Sequence, residues 1–257
     1  MSLDEIDKTE AMPEGFGGIP VLGRDDGFEN VREGVALLVD KPKEWSSFKV
    51  VKLLRTNLHI KKIGHAGTLD PMATGLLICC IGRSATRRVD GFVGLDKEYV
   101  GVMRFGETTA SYDAESPILE KVPSDHITNY DIQERFGHFC GDIDQIPPMY
   151  SAISIGGRRL YEMARKGQTI DRPPRQVRIE TFDMLGRDGP DVNFRVVCSK
   201  GTYIRSLAHD VGRQLGVGAH LIALRRTRIG PFNVDDAFST DSIAETPDIG
   251  DATHRTQ

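Results

Sequence analysis

The sequence predicts one mixed α+β domain with a largely antiparallel sheet. Short apolar runs typical of strands are interspersed with amphipathic helical stretches, without the regular strand–helix–strand spacing of a parallel sheet. Several predicted strands lie close together in the chain, which favours antiparallel pairing. The 257 residues can form one large domain or two small ones, and a hydrophobic fraction of 39% can supply a buried core.

The predicted elements begin with a buried strand in the apolar run 34–39, which ends at Asp40-Lys41-Pro42. Ser46 or Ser47 offers an N-cap, and apolar residues at helical spacing predict a helix over 47–58. A second apolar run covers 75–81, and Gly82 opens a short helix. The further predicted elements are strands at 97–105, 177–184, 192–198 and 228–234, and helices at 128–139, 160–166, 203–215 and 219–226.

The net charge of −4 is unevenly distributed along the chain. Residues 1–30 hold eight acids and two bases, and residues 241–257 hold four acids and one base, so residues 31–240 carry a net charge of +5. We therefore interpret 1–30 as an acidic mobile extension, 31–238 as the main folded domain and 239–257 as a polar tail.

Four cysteines, at 79, 80, 140 and 198, have no C-x-x-C spacing, so a zinc site or a disulfide framework is not expected. Cys79 and Cys80 lie in the apolar run 76–81, which predicts buried free thiols. No apolar stretch reaches membrane-spanning length, and the N-terminus has no basic region followed by an apolar one. These features predict a soluble cytoplasmic protein that does not bind membranes.

The run Gly64-His65-Ala66-Gly67-Thr68-Leu69-Asp70-Pro71-Met72 holds one carboxylate in a segment unsuited to a helix. Gly64 and Gly67 permit backbone angles closed to other residues, and Pro71 biases Asp70 toward an extended conformation. A carboxylate held in this way can act as a nucleophile. The alternative is an ordinary turn that Asp70 caps, since Asp and Gly are common in turns.

With its flanks, 61–81, this run closely resembles the catalytic motif of the TruB-type tRNA pseudouridine synthases. The Asp of the family motif G-H-x-G-x-L-D-P is the essential carboxylate and matches Asp70. Two further motifs match in the expected order, K-x-Y at 97–99 and S-x-G-T-Y-I-R-S-L at 199–207. The resemblance covers about 33–234 and implies the pseudouridine synthase fold, a central sheet flanked by helices and loops with a central active-site cleft.

The resemblance also implies catalytic roles for Asp70, Tyr99 and Arg205. Tyr99 would stack on the target base and take part in proton transfer, and Arg205 would pair with Asp70. A guanidinium supplies a fork of donors that orients a carboxylate and keeps it ionised. Taken alone, Tyr99 would be read as a core tyrosine of a strand, and Arg205 as a solvent-facing helix residue.

Four residues are expected to support or bind the substrate, again by resemblance. Tyr203 would line the base pocket, as would Leu224, for which core packing is an equal explanation. His65 would help to fill the gap that the flipped uridine leaves in the RNA loop, although a lone His carries little weight by itself. Lys41, in a Lys-Pro element, would support the active-site loop rather than perform chemistry.

The expected activity is isomerisation of uridine 55 of the tRNA T loop to pseudouridine by a stand-alone enzyme. The reaction has no redox change and no net gain of atoms, so neither a cofactor nor a metal is expected. The expected partner is the tRNA T stem-loop, and no guide RNA is expected. The enzyme is expected to be a monomer. It is also expected to lack the C-terminal PUA domain that many members of the family carry. Basic residues in 199–228 and 158–178 would hold the RNA backbone while the uridine is extruded, although such stretches can equally be solvated helix faces.

Two alternatives remain from the sequence. One is an RNA-binding or tRNA-folding chaperone in which catalysis is secondary, and the other is the guide-RNA-dependent relative. The sequence also departs from the family after the strand that carries Tyr99. Of the two acids in the family motif T-D-T-x-D, this sequence keeps only the second, as Asp113.

Overall fold

The computed structural model describes residues 15–28, 31–151, 154–164, 167–168 and 170–245. The chain divides into two compact units. Unit one comprises Met1–Val93 with Thr227–Gln257, and unit two comprises Gly94–Arg226. Within the described ranges, no helix is both long and apolar enough to cross a bilayer.

The elements in the first part of the chain are β1 (Gly15–Phe16), β2 (Ile19–Leu22), α1 (Val31–Gly34), β3 (Val35–Lys41), α2 (Ser47–Leu58), β4 (Ile63–Ala66), β5 (Thr74–Ile81), α3 (Gly82–Thr86) and α4 (Val89–Gly94). They are followed by β6 (Lys97–Phe105), β7 (Glu107–Thr109), β8 (Ile118–Lys121), α5 (Asn129–His138), β9 (Gly141–Gln145), β10 (Ser154–Ile155), β11 (Arg158–Arg159) and α6 (Leu160–Ala164). The remaining elements are β12 (Arg175–Asp188), β13 (Asp191–Cys198), α7 (Ile204–Gln214), β14 (Ala219–Ile229), β15 (Phe232–Asn233), a 3-10 turn (Val234–Asp236), β16 (Phe238–Ser239) and α8 (Thr240–Glu245).

In unit one, β3 lies at the centre of the sheet. It pairs antiparallel with β5 and parallel with β2 and β16, and β4 pairs antiparallel with β5. The helix predicted over 47–58 is confirmed as α2, whose N-cap Ser46 accepts a hydrogen bond from the Lys49 amide at 3.1 Å. Its apolar side chains are buried in one cluster with those of β3 and β5, including Val50, Val51, Leu54, Leu58, Leu37, Val39 and Leu77.

In unit two, the strands follow the order β14, β6, β13, β12, β9. The pairs from β6 to β9 are antiparallel, and all eight residues of β13 pair with β6. Helix α5 packs on β12, where the rings of Phe136 and Phe182 stack with their centroids 3.8 Å apart. Both units therefore confirm the predicted mixed α+β class.

The prediction of a helix over 219–226 is wrong, because these residues belong to strand β14. Leu221, Ile222 and Leu224 fit a short amphipathic helix and a strand equally well when only their spacing is considered. The side chains of Leu224 and Arg226 are both buried, as the two-residue period of a strand requires. The strand predicted over 228–234 is divided by a turn at Gly230, after which β15 pairs back on β14.

The two ends of the chain also differ from the prediction over the residues that the structure describes. Residues 15–22, predicted to be part of a mobile extension, form β1 and β2, and the alternating Ile19 and Val21 are buried. Residues 240–245, predicted to be part of a polar tail, form α8, which packs on α2 and accepts a hydrogen bond from Asn57 at Ile243 O (2.9 Å). Residues 1–14 and 246–257 lie outside the described residues.

Candidate active site

The predicted nucleophile, Asp70, lies in unit one, in the loop between β4 and β5, and its side chain is half-buried. Gly67 adopts φ +85°, a left-handed conformation that glycine adopts without strain. The amide of Ala73 donates to Asp70 O at 3.1 Å and closes a tight turn. The backbone is therefore the turn that the alternative interpretation expected. Gly64, in contrast, lies within β4 without a positive φ, so the wider range of backbone angles that glycine permits is not used there.

Two side chains attach this loop to the segment before α2. The hydroxyl of Ser47 accepts from the Leu69 amide at 2.9 Å and donates to Leu69 O at 3.2 Å. The ammonium of Lys41, fully buried, donates to Trp45 O at 2.6 Å and to Pro71 O at 3.4 Å. The residues on both sides of Asp70 are thus held by buried hydrogen bonds. Sequence reasoning recognised Lys41 but not Ser47, which it considered only as a helix cap.

His65 lies on β4, opposite Cys79 of β5 in the strand register, and its side chain is half-buried. The thiols of Cys79 and Cys80 are free and buried, as predicted. Burial raises the pKa of Cys80 to about 11 and that of Cys79 further, so both thiols stay neutral at physiological pH.

Unit two holds the other predicted site residues, Tyr99, Tyr203, Arg205 and Leu224. Tyr99 lies on β6, is 8% exposed and pairs in register with Val196 of β13. The Arg226 guanidinium lies 6.0 Å from the centroid of its ring. Leu224, on β14, is also 8% exposed.

The Lys97 ammonium, two residues before Tyr99, is buried and donates to Leu95 O. Burial, and next the charge of Arg226, lower the pKa of Lys97 to about 8. The lysine of the K-x-Y motif is therefore much easier to deprotonate than an ordinary surface lysine.

Arg205 is the second residue of α7, and its guanidinium is buried rather than solvent-facing. Nη1 donates to Ser111 O at 2.9 Å and lies 3.5 Å from Asp113 Oδ2, and Nη2 donates to Tyr150 O at 2.8 Å. These contacts fix the plane of the guanidinium. Asp70 belongs to unit one and Arg205 to unit two, and their pairing stays a prediction.

Sequence reasoning missed the role of Asp113 as a partner of Arg205. The side chain of Asp113 is 2% exposed, and its Oδ1 accepts from the Ser111 hydroxyl at 2.5 Å and from the Glu115 amide at 3.0 Å. Its backbone oxygen accepts from the Thr109 hydroxyl at 2.7 Å. The one available signal was that Asp113 is the acid retained from the otherwise altered T-D-T-x-D motif.

The loop that carries Asp113 also contains a residue in a left-handed conformation. Tyr112 adopts φ +64°, and its ring stacks on that of His209 with centroids 3.8 Å apart. His209 lies one helical turn after Arg205 on α7. Burial, followed by the charges of Arg213 and Arg172, lowers the pKa of His209, which favours the neutral ring in this stack.

Tyr203, the N-cap residue of α7, is positioned through its backbone by Gln145. The Tyr203 amide donates to Gln145 Oε1 at 2.7 Å, and Gln145 Nε2 donates to Tyr203 O at 3.0 Å. Gln145 is 2% exposed, so this amide pair is shielded from water. Sequence reasoning did not identify Gln145, which comes from the end of β9.

Comparison with known families decides the assignment. Residues 55–204 match the model of the TruB family pseudouridylate synthase (N terminal domain), and residues 205–254 match the tRNA pseudouridylate synthase B C-terminal domain. The chain belongs to the TruB family. TruB family members are pseudouridylate synthases, so the chain is an isomerase that acts on uridine in RNA.

Curated TruB relatives match most of the chain. The protein named tRNA pseudouridine synthase B from Phocaeicola vulgatus is 43% identical over 222 residues, which cover 84% of this chain and 94% of the relative. The protein of the same name from Flavobacterium johnsoniae is 46% identical, with 85% and 98% covered, and that from Opitutus terrae is 47% identical, with 82% and 87% covered.

Solved structures agree with the TruB assignment at the level of the fold. A Cbf5-Nop10-Gar1 complex matches with a TM-score of 0.64 at 30% identity, over 91% of this chain and 59% of that chain. The archaeal box H/ACA sRNP Nop10-Cbf5 complex matches with a TM-score of 0.62 at 29% identity, over 86% and 56%. The chain spans a little more than half the length of the chains in these structures. The predicted pseudouridine synthase fold is confirmed.

Proposed function

We propose that this TruB protein is a stand-alone tRNA pseudouridine synthase that converts uridine 55 of the T loop to pseudouridine. It works in the cytoplasm as a monomer and needs no guide RNA. The observation that carries the proposal is the match, at 43–47% identity over 82–85% of this chain, to proteins named tRNA pseudouridine synthase B.

Asp70 is the nucleophile of the proposed reaction. The glycosidic C–N bond breaks, the freed base turns, and its C5 atom joins the sugar carbon that carried N1. A carboxylate nucleophile divides such a reaction into two easier steps. The hydrogen bonds of Ser47 and Lys41 to the residues on either side of Asp70 support this role, because a catalytic group must be held in the reacting geometry.

Arg205 orients the Asp70 carboxylate and keeps it ionised. The buried guanidinium already has a fixed plane, set by two backbone carbonyls and by Asp113. A preorganised cation loses little conformational freedom when it binds an anion. Its place in the first turn of α7 adds a favourable field for the anion.

The base is held by aromatic and apolar side chains. Tyr99 stacks on the pyrimidine and takes part in proton transfer, and Tyr203 and Leu224 line the pocket. Stacking suits a base that must turn about the stacking axis and contributes about 1–3 kcal/mol per base. His65 fills the gap in the T loop after the uridine has been extruded, a step that costs a few kcal/mol of unstacking.

Basic side chains hold the RNA backbone during extrusion. The predicted stretch 199–228 supplies six bases, of which Lys200 and Arg213 are exposed. Arg205 and Arg226 are buried, so these two do not present their charges to the RNA backbone. In the stretch 158–178, Arg175 and Arg178 are exposed, while Arg165 and Lys166 lie outside the described residues. Exposed cations of this kind neutralise phosphates without reading the sequence.

The proposal is tested with an unmodified tRNA transcript and the purified protein, with no other RNA present. Because uridine and pseudouridine have the same mass, the product is labelled with a reagent specific for pseudouridine and then mapped by mass spectrometry. We expect complete labelling at position 55 and none in a matched transcript with cytidine at that position. Labelling at another position, or labelling that depends on an added guide RNA, would contradict the proposal.

A further inference from the structure

The solvent side of α2 combines aromatic and basic side chains. We define the α2 face as Trp45, Phe48, Lys49, Lys52 and Arg55. Phe48 is 62% exposed, the most exposed aromatic side chain of unit one among the described residues, and Lys49, Lys52 and Arg55 are exposed as well. The opposite side of the helix is buried in the core of unit one. The α2 face is therefore one stripe of the helix, as expected for spacings of three and four residues.

The α2 face is strongly basic in a chain that is acidic. Residues 43–62 contain six Lys or Arg and a single acid, Glu44, whereas the whole chain has a net charge of −4. Among the residues that the structure describes, no carboxylate lies within ion-pair distance of Lys49, Lys52 or Arg55. Within the described part of the fold, these three cations therefore form no ion pairs.

The aromatic rings are placed beside the cations. Lys49 Nζ lies 3.9 Å from the Trp45 ring centroid, and Arg55 Cζ lies 5.8 Å from the Phe48 ring centroid. Phe48 is the exposed ring of the face, whereas Trp45 is half-buried against the core of unit one. Cations beside an exposed ring are typical of surfaces that bind unpaired RNA, where phosphates meet the cations and a base or ribose meets the ring.

The α2 face begins at the loop that carries Asp70. Ser47, between Trp45 and Phe48, bonds to both backbone groups of Leu69, and the Glu44 amide donates to Pro71 O at 2.8 Å. From there the 12 residues of α2 extend for about 18 Å. An RNA strand whose target base enters at Asp70 therefore has a basic, aromatic surface directly beside its entry point.

We propose that the α2 face binds the RNA strand adjacent to the target uridine, with phosphates at Lys49, Lys52 and Arg55 and a base or ribose on Phe48. This inference rests on the proposed function. A membrane surface fits the face less well, because Phe48 is its one exposed large apolar side chain, whereas interfacial helices present a broad apolar side. A second copy of the chain fits less well for the same reason, since interface cores are depleted of charge.

The test compares two variants that remove the same charge from exposed positions of unit one. K49Q/K52Q removes two cations of the α2 face, and R83Q/R87Q removes two exposed cations at α3. Affinity for the tRNA transcript is measured by filter binding between 0.05 and 0.3 M salt. Each lost phosphate contact is expected to reduce the slope of log K against log salt by about 0.7–0.9, so K49Q/K52Q should lose about 1.4–1.8 in slope and bind about 30-fold more weakly at 0.1 M salt.

The control variant R83Q/R87Q should keep the slope and affinity of the wild type. An equal loss in both variants would overturn the inference, because it would reflect net charge rather than this face. Unchanged binding of K49Q/K52Q would also overturn it. If the wild type forms pseudouridine in the same experiment, the proposed function stands independently of that outcome, whereas absence of product in the wild type would count against the function itself.

A third variant, F48L, tests the aromatic contact without changing the charge. Because Phe48 is exposed, the variant should fold, and tRNA affinity should fall about fivefold or more with an unchanged salt slope. Wild-type affinity in F48L would contradict the aromatic part of the proposal. Phosphatidylserine vesicles serve as the competing anionic surface. Binding to them that K49Q/K52Q abolishes, with tRNA binding intact, would assign the face to membranes and overturn the proposal.

Discussion

The guanidinium of Arg205 lies 3.5 Å from the carboxylate of Asp113, and their side chains are only 4% and 2% exposed. Removing two charges from water is costly, so such a pair persists only where hydrogen bonds satisfy both groups. Here Ser111, Tyr150 and Glu115 supply those bonds. The pair fixes the residue that we propose to orient the nucleophile.

We expect D113N to reduce both stability and activity. The variant removes the buried carboxylate beside the Arg205 guanidinium, and breaking a buried ion pair costs about 3–5 kcal/mol of unfolding free energy. A guanidinium displaced by about 1 Å would lower kcat by about 10²-fold, with a smaller effect on KM for tRNA. Urea unfolding and steady-state kinetics measure the two effects.

The double variant D113N/R205M serves as the control for this prediction. It removes the buried guanidinium as well as the carboxylate beside it, and it should regain part of the lost stability but not the activity. If D113N were as stable and as active as the wild type, Asp113 would have no role in positioning Arg205. A double-mutant cycle on the unfolding free energies gives the coupling between the two residues.

Substitutions of two neighbouring serines distinguish two effects. Ser47 supports the loop that carries Asp70, whereas Ser46 stabilises helix α2 as its N-cap. S47A leaves the buried Leu69 amide without its acceptor, at a cost of about 1–3 kcal/mol, and should lower the single-turnover rate because the loop before Asp70 is no longer fixed. S46A removes the N-cap of α2 and should cost about 1 kcal/mol.

The rate distinguishes these two variants. S46A should keep the single-turnover rate of the wild type, measured under conditions in which both variants are fully folded. Equal rates for S46A and S47A would show that the Ser47 hydroxyl does not position Asp70.

Stability should depend on pH through Lys97. Burial lowers its folded-state pKa from 10.5 to about 8, so between these values the unfolded state binds more protons than the folded state. The free energy of unfolding therefore gains a contribution that is absent below pH 8, grows as pH rises through this window and is complete above about 10.5.

The K97M variant lacks this contribution. The difference in stability between the wild type and K97M therefore separates the effect of Lys97 from that of the other titrating groups. Urea unfolding of both proteins between pH 7 and 10 should show that stability of the wild type rises relative to K97M above pH 8. Parallel pH profiles would indicate an ordinary lysine with an unperturbed pKa.

Local signals account for what the sequence predicted correctly. Helix α2 was predictable because its cap and its apolar spacing lie within 13 consecutive residues, Ser46–Leu58. Strand β6 was predictable from its alternation. Strand β14 was not, since the pairing with β6 decides between strand and helix for a segment whose apolar spacing is ambiguous.

The candidate site was predictable only where one motif carries the chemistry. Asp70, Tyr99 and Arg205 stand in short motifs that resemble a known family, and Lys41 stands in a Lys-Pro element. The partners that position them lie far away in the chain, as Ser47 does from Leu69 and Gln145 from Tyr203. Such pairs form only when the chain folds, so no regular spacing of residues in the sequence reveals them.

The most direct test of the central claim is D70N, assayed for pseudouridine at position 55 of an unmodified tRNA transcript together with its affinity for that transcript. Asn has the shape of Asp but is a poor nucleophile. We predict that D70N folds and binds tRNA like the wild type and forms no pseudouridine. Substantial product formation by D70N would contradict the assignment of Asp70 as the nucleophile.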